Sequence, residues 1–204
     1  YEIMWQEDLM PLLNPQSLRE LQNSTKTPIC ISERLLGRWQ FRHFIENGSA
    51  RIVMPDLIWT GGISETHKVA ILASSHQVPF APHDATGPVN IFACTQVVMS
   101  SPNAMIQEFV PGFHEGWYGS HVDPNFEIED GFLKAPELPG IGTRLKSDVM
   151  KRKDVHVKIS DVSKESLIDA WETLDTSGKG IKLRTEKMER EIESLRKHRG
   201  PISK

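Results

Sequence analysis

The fold is decided by the stretch from Arg51 to His83, which reads RIVMPDLIWTGGISETHKVAILASSHQVPFAPH. Short apolar runs stand at its two ends, RIVMP at Arg51 and VPFAP at Val78, and a segment with helical periodicity lies between them. Short apolar runs are typical of strands buried on both faces, and a helix is the usual connection between two parallel strands. Asp56 follows the first run and His83 ends the second. The stretch therefore predicts a strand–helix–strand unit with an ionisable residue at the end of each strand.

The same unit repeats on both sides of this stretch. Further apolar runs begin at Tyr1 (YEIMW), Pro28 (PICIS) and Ala104 (AMIQEF), so that five runs follow one another at intervals of 23 to 27 residues. Helical segments lie between them, one with a cap and a first-turn proline at Asn14-Pro15 and a further run, Val89 to Met99, that begins at Gly87-Pro88. This alternation predicts parallel strands covered by helices, as in an open flavodoxin-like sheet or in part of a (βα)8 barrel.

The composition is that of a globular protein and argues against several partners. The 204 residues are 38% hydrophobic and 25% charged, and the formal net charge is −3. A slightly acidic chain does not attract nucleic acid or anionic lipid, and no window approaches the roughly 18 apolar residues of a membrane span. Cys30 and Cys94 lie in apolar stretches and are expected to be buried free thiols, which favours a reducing, cytoplasmic location.

Three regions are predicted along the chain. Residues 1–110 form a partial barrel that carries a catalytic rim, and residues 111–145, rich in glycine and proline, form an ordered wrapping segment with a strand pair between Phe126 and Leu133. Residues 146–204 form a charged tail with helices at 163–174 and 182–198. The opening residues read as the middle of a fold, so we expect a missing N-terminal portion.

Each predicted strand ends at an ionisable residue. In chain order these residues are Glu7, Glu33, Asp56, His83 and Glu108. In folds with parallel strands, chemistry gathers just beyond the carboxyl ends of those strands. A strand-end carboxylate can simply cap the next helix, and a lone histidine is more often structural than catalytic. Five such groups converging on one rim instead favour a site that holds a cation or a substrate.

Neighbouring parallel strands lie about 4.8 Å apart, so residues at the ends of neighbouring strands are close enough to interact in pairs. Glu7 and Glu33 are then a pair of hard oxygen ligands suited to Mg²⁺. Asp56 and His83 can form a carboxylate–imidazole dyad in which Asp56 sets the tautomer and makes His83 a better proton acceptor. Glu108 closes the rim as a hydrogen-bonding group.

These residues stand in motifs that resemble the enolase superfamily. The motifs are Trp5-Gln6-Glu7-Asp8, Ile31-Ser32-Glu33-Arg34, Met54-Pro55-Asp56 with Gly61-Gly62-Ile63, Ala81-Pro82-His83 and Ile106-Gln107-Glu108. Over residues 1–140 they look like the second half of the barrel of the mandelate racemase subgroup, and most like its galactonate dehydratase-like acid-sugar dehydratases. The resemblance implies an α/β fold, the C-terminal part of a (βα)8, TIM-like barrel with five parallel strands. The N-terminal capping domain and the first strands would be absent.

The resemblance also implies roles for the rim. Glu7 and Glu33 would ligate Mg²⁺, Asp56 and His83 would form the acid/base dyad, and Glu108 would bond the developing enediolate of a small sugar-acid substrate. The implied enzyme is a lyase, a Mg²⁺-dependent hydro-lyase that removes the proton alpha to a carboxylate and expels the 3-hydroxyl to give a 2-keto-3-deoxy acid. The full-length protein would be a homo-oligomer. This chain alone would be inactive, because the family's third metal ligand and opposing catalytic group belong to its third strand.

The sequence departs from the family pattern at two places. The fourth strand of the family ends here in Glu7-Asp8-Leu9, where relatives commonly have Glu-Glu-Pro, and residues 146–204 extend beyond the usual end. Four residues near the rim are candidates for the substrate pocket, namely Arg34, Arg38, Trp39 and Trp59.

Two other classes of barrel enzyme need residues that this rim lacks. A Schiff-base aldolase would need a strand-end lysine and a zinc hydrolase would need a His-x-His at a strand end, and the sequence has neither. A racemase or cycloisomerase of the same superfamily shares the proton abstraction and stays open. So does a non-catalytic barrel fragment that acts as an interaction module.

Overall fold

The computed structural model describes residues 2–155, and it has the alternation of strands and helices that the sequence predicts. Its barrel elements are β1 (Gln6–Glu7), α1 (Pro15–Ser24), β2 (Ile29–Ile31), α2 (Gly37–Glu46), β3 (Ile52–Val53), α3 (Leu57–Thr60), α4 (Gly62–Ser75) and α5 (Pro88–Ser100). The first three strands form a parallel sheet in the order β1-β2-β3. Single parallel bridges continue it from Val53 to Phe80 and from Phe80 to Ala104. The predicted partial (βα) barrel is confirmed.

The strands are shorter than the apolar runs, and proline explains part of the difference. Pro79 and Pro82 lie on either side of Phe80 and have no N–H to donate, so the sheet there is reduced to a bridge. The position predicted for the first strand is wrong, since β1 begins at Gln6, whose N–H donates to the Pro28 carbonyl at 2.9 Å. The residues just before Pro28 form the bend that follows α1. Among the described residues, residues 2–5 therefore have no strand beside them at this point with which to pair.

Helices α1 and α5 begin where the sequence signals place them, and the structure has one addition. Asn14 caps α1, its side-chain oxygen accepting the N–H groups of Gln16 and Ser17 at 2.9 and 3.3 Å. The addition is the four-residue helix α3, which begins directly after Asp56. Gly61, at φ +122°, then turns the chain from α3 into α4 in a conformation that other residues rarely adopt.

Successive side chains of a strand point to opposite sides, so the sheet has two apolar layers of side chains. The layer against the helices contains Ile29, Ile31, Val53 and Phe80. The opposite layer contains Cys30, Ile52, Met54 and Ala81, with Trp5 packed against it. Both cysteines of the chain are buried free thiols, as the sequence predicts.

Residues 111–151 add a second group of small elements. They are α6 (Pro111–Gly116), β4 (Val122–Asp123), β5 (Ile128–Glu129), β6 (Phe132–Leu133) and β7 (Arg144–Leu145), with 3-10 turns at Tyr118–Ser120 and Val149–Lys151. β5 and β6 form the antiparallel pair predicted between Phe126 and Leu133, and β4 pairs with β7. Buried Tyr118 and Phe126 join this group to Phe92 of α5 in one aromatic cluster.

The regions predicted at 1–110, 111–145 and 146–204 stay predictions. The helices predicted at 163–174 and 182–198 lie outside the described residues. Within residues 2–155, no helix has both the length and the apolar character needed to cross a membrane.

Candidate active site

The carboxyl ends of the five strand positions bring the predicted residues to one edge of the sheet. His83 Nδ1 lies 2.9 Å from Asp56 Oδ2, and His83 Nε2 lies 3.7 Å from Glu108 Oε2. Ligand atoms of Glu7, Glu33 and the additional residue Asp8 all lie within 4.8 Å of one another. The structure therefore brings all five residues together, and their catalytic and metal-binding roles stay predictions.

Asp56 uses its two carboxylate oxygens for two purposes. Its Oδ1 accepts the N–H groups of Ile58 and Trp59 at 2.8 and 3.2 Å and so begins α3. Its Oδ2 faces the imidazole of His83, which the parallel bridge between the two residues places directly beside it. Asp56 is fully buried, so its carboxylate has little freedom to leave either partner. The helix-cap role and the dyad geometry thus coexist in one side chain.

The arrangement around His83 determines which ring nitrogen is available. In the neutral ring, Nδ1 carries the hydrogen, because its neighbour Asp56 Oδ2 is an acceptor. Nε2 then keeps a lone pair on the side of Glu108. Burial alone would lower the pKa of His83, but the hydrogen bond to Asp56 and the charges of Glu108 and Glu33 outweigh it and raise the pKa above its ordinary 6.5. The imidazole is a stronger proton acceptor than a free histidine.

The turn after His83 holds Glu108, and sequence reasoning missed this contact. Glu108 Oε2 accepts the N–H of Asp84 at 3.0 Å. Asp84 is itself fully buried, and its Oδ1 accepts hydrogen bonds from Thr86 and from the Asn90 amide at 2.7 Å. Asp followed two residues later by Thr is an available sequence signal for such a turn.

Glu7, Asp8 and Glu33 form a cluster of carboxylates at the ends of β1 and β2. Glu7 is exposed and the other two are half-buried. Partial loss of solvent, and then the charges of Asp8, Glu108 and Glu33, raise the pKa of Glu7. Hard oxygen donors with unbalanced negative charge are what Mg²⁺ binds, through one or two carboxylates and water. Glu7 and Glu33 therefore fit a magnesium ion.

The four candidate pocket residues fall into two groups. Arg34 Nε lies 3.3 Å from Asp8 Oδ2, and the Trp59 ring lies 5.8 Å from the His83 ring between centroids. Arg38 instead pairs with Glu65 of α4, and its guanidinium lies 4.5 Å from the ring centre of Trp39. Trp59 and Arg34 adjoin the dyad and the carboxylate cluster, whereas the Arg38 side chain links α2 to α4.

The sequence is similar to proteins that are named as sugar-acid dehydratases. D-galactonate dehydratase of Variovorax paradoxus is 38% identical over 130 residues, which are 61% of this chain and 34% of that protein. D-xylonate dehydratase of Haloferax volcanii is 32% identical over 151 residues, which are 74% of this chain and 36% of that protein. The chain thus spans about a third of the length of these relatives.

Solved structures agree with the fold. An enolase protein from Sargasso Sea environmental sequences is 37% identical with a TM-score of 0.70, over 76% of this chain and 41% of that chain. A mandelate racemase/muconate lactonizing enzyme from Jannaschia sp. CCS1 is 32% identical with a TM-score of 0.70, over 78% and 40%. The model of the family described as "Enolase C-terminal domain-like" matches residues 1–149. The chain belongs to this enolase C-terminal domain-like family.

Proposed function

We propose that this chain carries the proton-abstracting part of the active site of a Mg²⁺-dependent acid-sugar dehydratase. The observation that carries the proposal is the line of Asp56, His83 and Glu108, with 2.9 and 3.7 Å between partners, beside the carboxylates of Glu7 and Glu33. The names of the two relatives, a D-galactonate and a D-xylonate dehydratase, support a sugar acid as the substrate. Because the chain spans about a third of their length, the activity is proposed for the complete gene product.

The first step is removal of the hydrogen alpha to the substrate carboxylate. This hydrogen is very weakly acidic, because its loss places a second negative charge on the carboxylate. His83 Nε2 has the free lone pair in the tautomer that Asp56 sets, so it takes the proton, and buried Asp56 stabilises the resulting imidazolium. Glu108, whose Oε2 accepts the Asp84 N–H at 3.0 Å, would hydrogen-bond the substrate beside His83 Nε2 as the charge develops.

Glu7 and Glu33 would hold the cation that this charge requires. When bound, Mg²⁺ supplies positive charge that stabilises the doubly charged carboxylate. The electron pair left by the C2–H bond then forms the C2–C3 double bond as the C3–O bond breaks. His83 can return its proton to the departing hydroxyl, which leaves as water, and the enol product becomes the 2-keto-3-deoxy acid.

The pH dependence of α-proton removal follows from the protonation of His83. His83 can accept a proton only when its ring is neutral, and its pKa is raised above 6.5. The rate of α-proton removal should therefore rise with pH through a midpoint above 6.5.

The test measures two reactions at once in the complete gene product that carries these residues. D-galactonate or D-xylonate with Mg²⁺ in deuterated water is followed by proton NMR, which reports loss of the α-hydrogen and appearance of the 2-keto-3-deoxy acid. His83→Asn should abolish both, and Asp56→Asn should slow both less. His76→Asn, which changes an exposed histidine at the end of α4, is the matched control and should change neither.

The other outcomes separate the alternatives. If α-exchange survives in His83→Asn while dehydration stops, His83 is the acid and not the base. If the unaltered protein exchanges the α-hydrogen without releasing water, the racemase or cycloisomerase alternative is correct. If it does neither, the dehydratase proposal fails.

A further inference from the structure

Asp8 lies next to the proposed metal ligands but is bonded differently from them. Its Oδ1 accepts the N–H of Ser32 at 3.1 Å, and its Oδ2 accepts the Ser32 hydroxyl. The same Oδ2 lies 3.3 Å from Arg34 Nε. Both oxygens are therefore engaged by the two residues that flank Glu33 in the sequence.

The backbone of Asp8 is arranged for this contact. Asp8 has φ +44°, in the left-handed region that non-glycine residues avoid and that Asp and Asn tolerate best. Its N–H still donates to the Cys30 carbonyl at 3.1 Å, so the turn occurs one residue beyond β1. The turn directs the side chain sideways toward the end of β2 while Glu7 remains at the end of its own strand.

Asp8 is more buried than an ordinary surface carboxylate. Its side chain is 11% exposed and Ser32 is fully buried, so the contact between them is shielded from water. Hydrogen bonds in such surroundings fix geometry more firmly than exposed ones. Ser32 precedes Glu33 directly, so fixing Ser32 fixes the starting point of the Glu33 side chain.

We propose that Asp8 is a positioning residue that clamps Ser32 and Arg34 and thereby sets the separation of the Glu7 and Glu33 carboxylates for a divalent cation. The inference rests on the proposed function, because it concerns the metal that the dehydratase would use. Asp8 acts through Glu33 and does not itself ligate the cation. Groups that orient metal ligands in this way typically change metal affinity 10–100-fold when they are removed.

The clean test weakens the clamp without removing a charge. Ser32→Ala deletes one hydroxyl donor to Asp8 and leaves all three carboxylates in place. Ser49→Ala is the matched control, because Ser49 is also fully buried and also loses one hydroxyl hydrogen bond, here to the Phe44 carbonyl at 3.0 Å. The probe is Mn²⁺ alone, measured by the loss of its free-ion electron paramagnetic resonance signal in the complete gene product, with Mg²⁺ as competitor.

Ser32→Ala should weaken Mn²⁺ binding about tenfold, whereas Ser49→Ala should leave it unchanged. Asp8→Asn keeps an oxygen that can accept the Ser32 N–H, so it should lose less affinity than Asp8→Ala. Equal affinity in Ser32→Ala and the unaltered protein would overturn the clamp. So would equal losses in the two serine variants, because they would indicate general destabilisation.

Two further results distinguish this inference from the function on which it rests. If Asp8→Asn and Glu33→Gln both abolish binding while Ser32→Ala has no effect, Asp8 is a ligand and the positioning role is wrong, although the metal site stands. If the unaltered protein binds no Mn²⁺, or if Glu33→Gln retains full affinity, the proposed metal site fails and the clamp fails with it.

Discussion

Trp59 makes the protonation state of His83 measurable without any substrate. The two ring centroids are 5.8 Å apart, and Trp59 is 50% exposed. A protonated imidazole at this distance quenches indole fluorescence by accepting an excited electron, whereas the neutral ring quenches much less. Trp59 emission should therefore fall as the pH drops through the pKa of His83, with a midpoint above 6.5.

The dyad makes a specific prediction for this titration. Asp56→Asn removes the carboxylate that favours the protonated ring, so the midpoint should move to lower pH. Trp117 lies 5.1 Å from His121, so the titration is made in a Trp117→Phe background, and the Trp59 component is the part lost in Trp59→Phe. A midpoint that Asp56→Asn leaves unchanged would show that Asp56 does not control His83.

The same shift has a consequence for stability. The pKa of His83 is raised in the folded protein, so its protonation stabilises the fold. This contribution is fully present below the unfolded pKa of about 6.5 and is lost as the pH rises through the raised pKa.

At the scale of the element, helix α2 begins with a cap that comes from another helix. Its own N-cap residue, Leu36, has no side chain that can accept a hydrogen bond. Glu65 of α4 takes this place, since its Oε1 accepts the Arg38 N–H at 2.9 Å and its other oxygen pairs with the Arg38 guanidinium. Glu65 therefore both caps α2 and joins it to α4.

Removing this cap should destabilise the protein. Glu65→Ala should lower the free energy of unfolding by about 0.5–2 kcal/mol, the usual cost of losing a helix cap. The matched control is Glu46→Ala, which breaks an exposed pair with Arg42 within α2 and should have a much smaller effect. Urea unfolding of the complete gene product, unaltered and with each substitution, makes the comparison, and equal losses in both variants would contradict the capping role.

The pH dependence of this cap has the opposite sign to that of His83. The hydrogen bond from the Arg38 N–H, followed by the charges of Arg38 and Lys68, lowers the pKa of Glu65 despite some burial. Its contribution is present above the ordinary carboxyl pKa and is lost as the pH falls through the lowered one. The stability difference between the unaltered protein and Glu65→Ala should therefore shrink in acid.

The sequence predicts those features that depend on neighbouring residues. The starts of α1 and α5, the positions of the strands after the first and the five rim residues follow from local prolines, caps and apolar runs. Contacts across the chain are not predictable in this way. The Asp8–Ser32 clamp and the Glu65 cap join residues 24 and 27 positions apart, and the pairing of β4 with β7 joins Val122 to Leu145. Each requires the tertiary fold to be known first.

At the scale of the whole molecule, the described sheet is an open part of a barrel. A closed barrel of this type takes eight strands, and the described residues supply five strand positions. The outer positions are β1 and Ala104, and Met4 and Met105 next to them are 59% and 46% exposed. Both methionines line one open groove of about 520 Å³ together with Ile52 and Pro79.

Open edges and an exposed apolar groove should make the isolated 204-residue chain associate with itself. We expect its weight-average mass, measured by sedimentation velocity, to rise with concentration. The double variant Met4→Lys, Met105→Lys places a charge beside each edge and should suppress this association, because a charge at a sheet edge opposes pairing with another strand. Met99→Lys is the matched control, since Met99 is 67% exposed on helix α5 and not on a strand, and it should associate like the unaltered chain. Far-ultraviolet circular dichroism checks that all three keep the same secondary structure. A monomeric, sharply two-state chain would show that its edges are protected, and equal association of all variants would place the contact elsewhere.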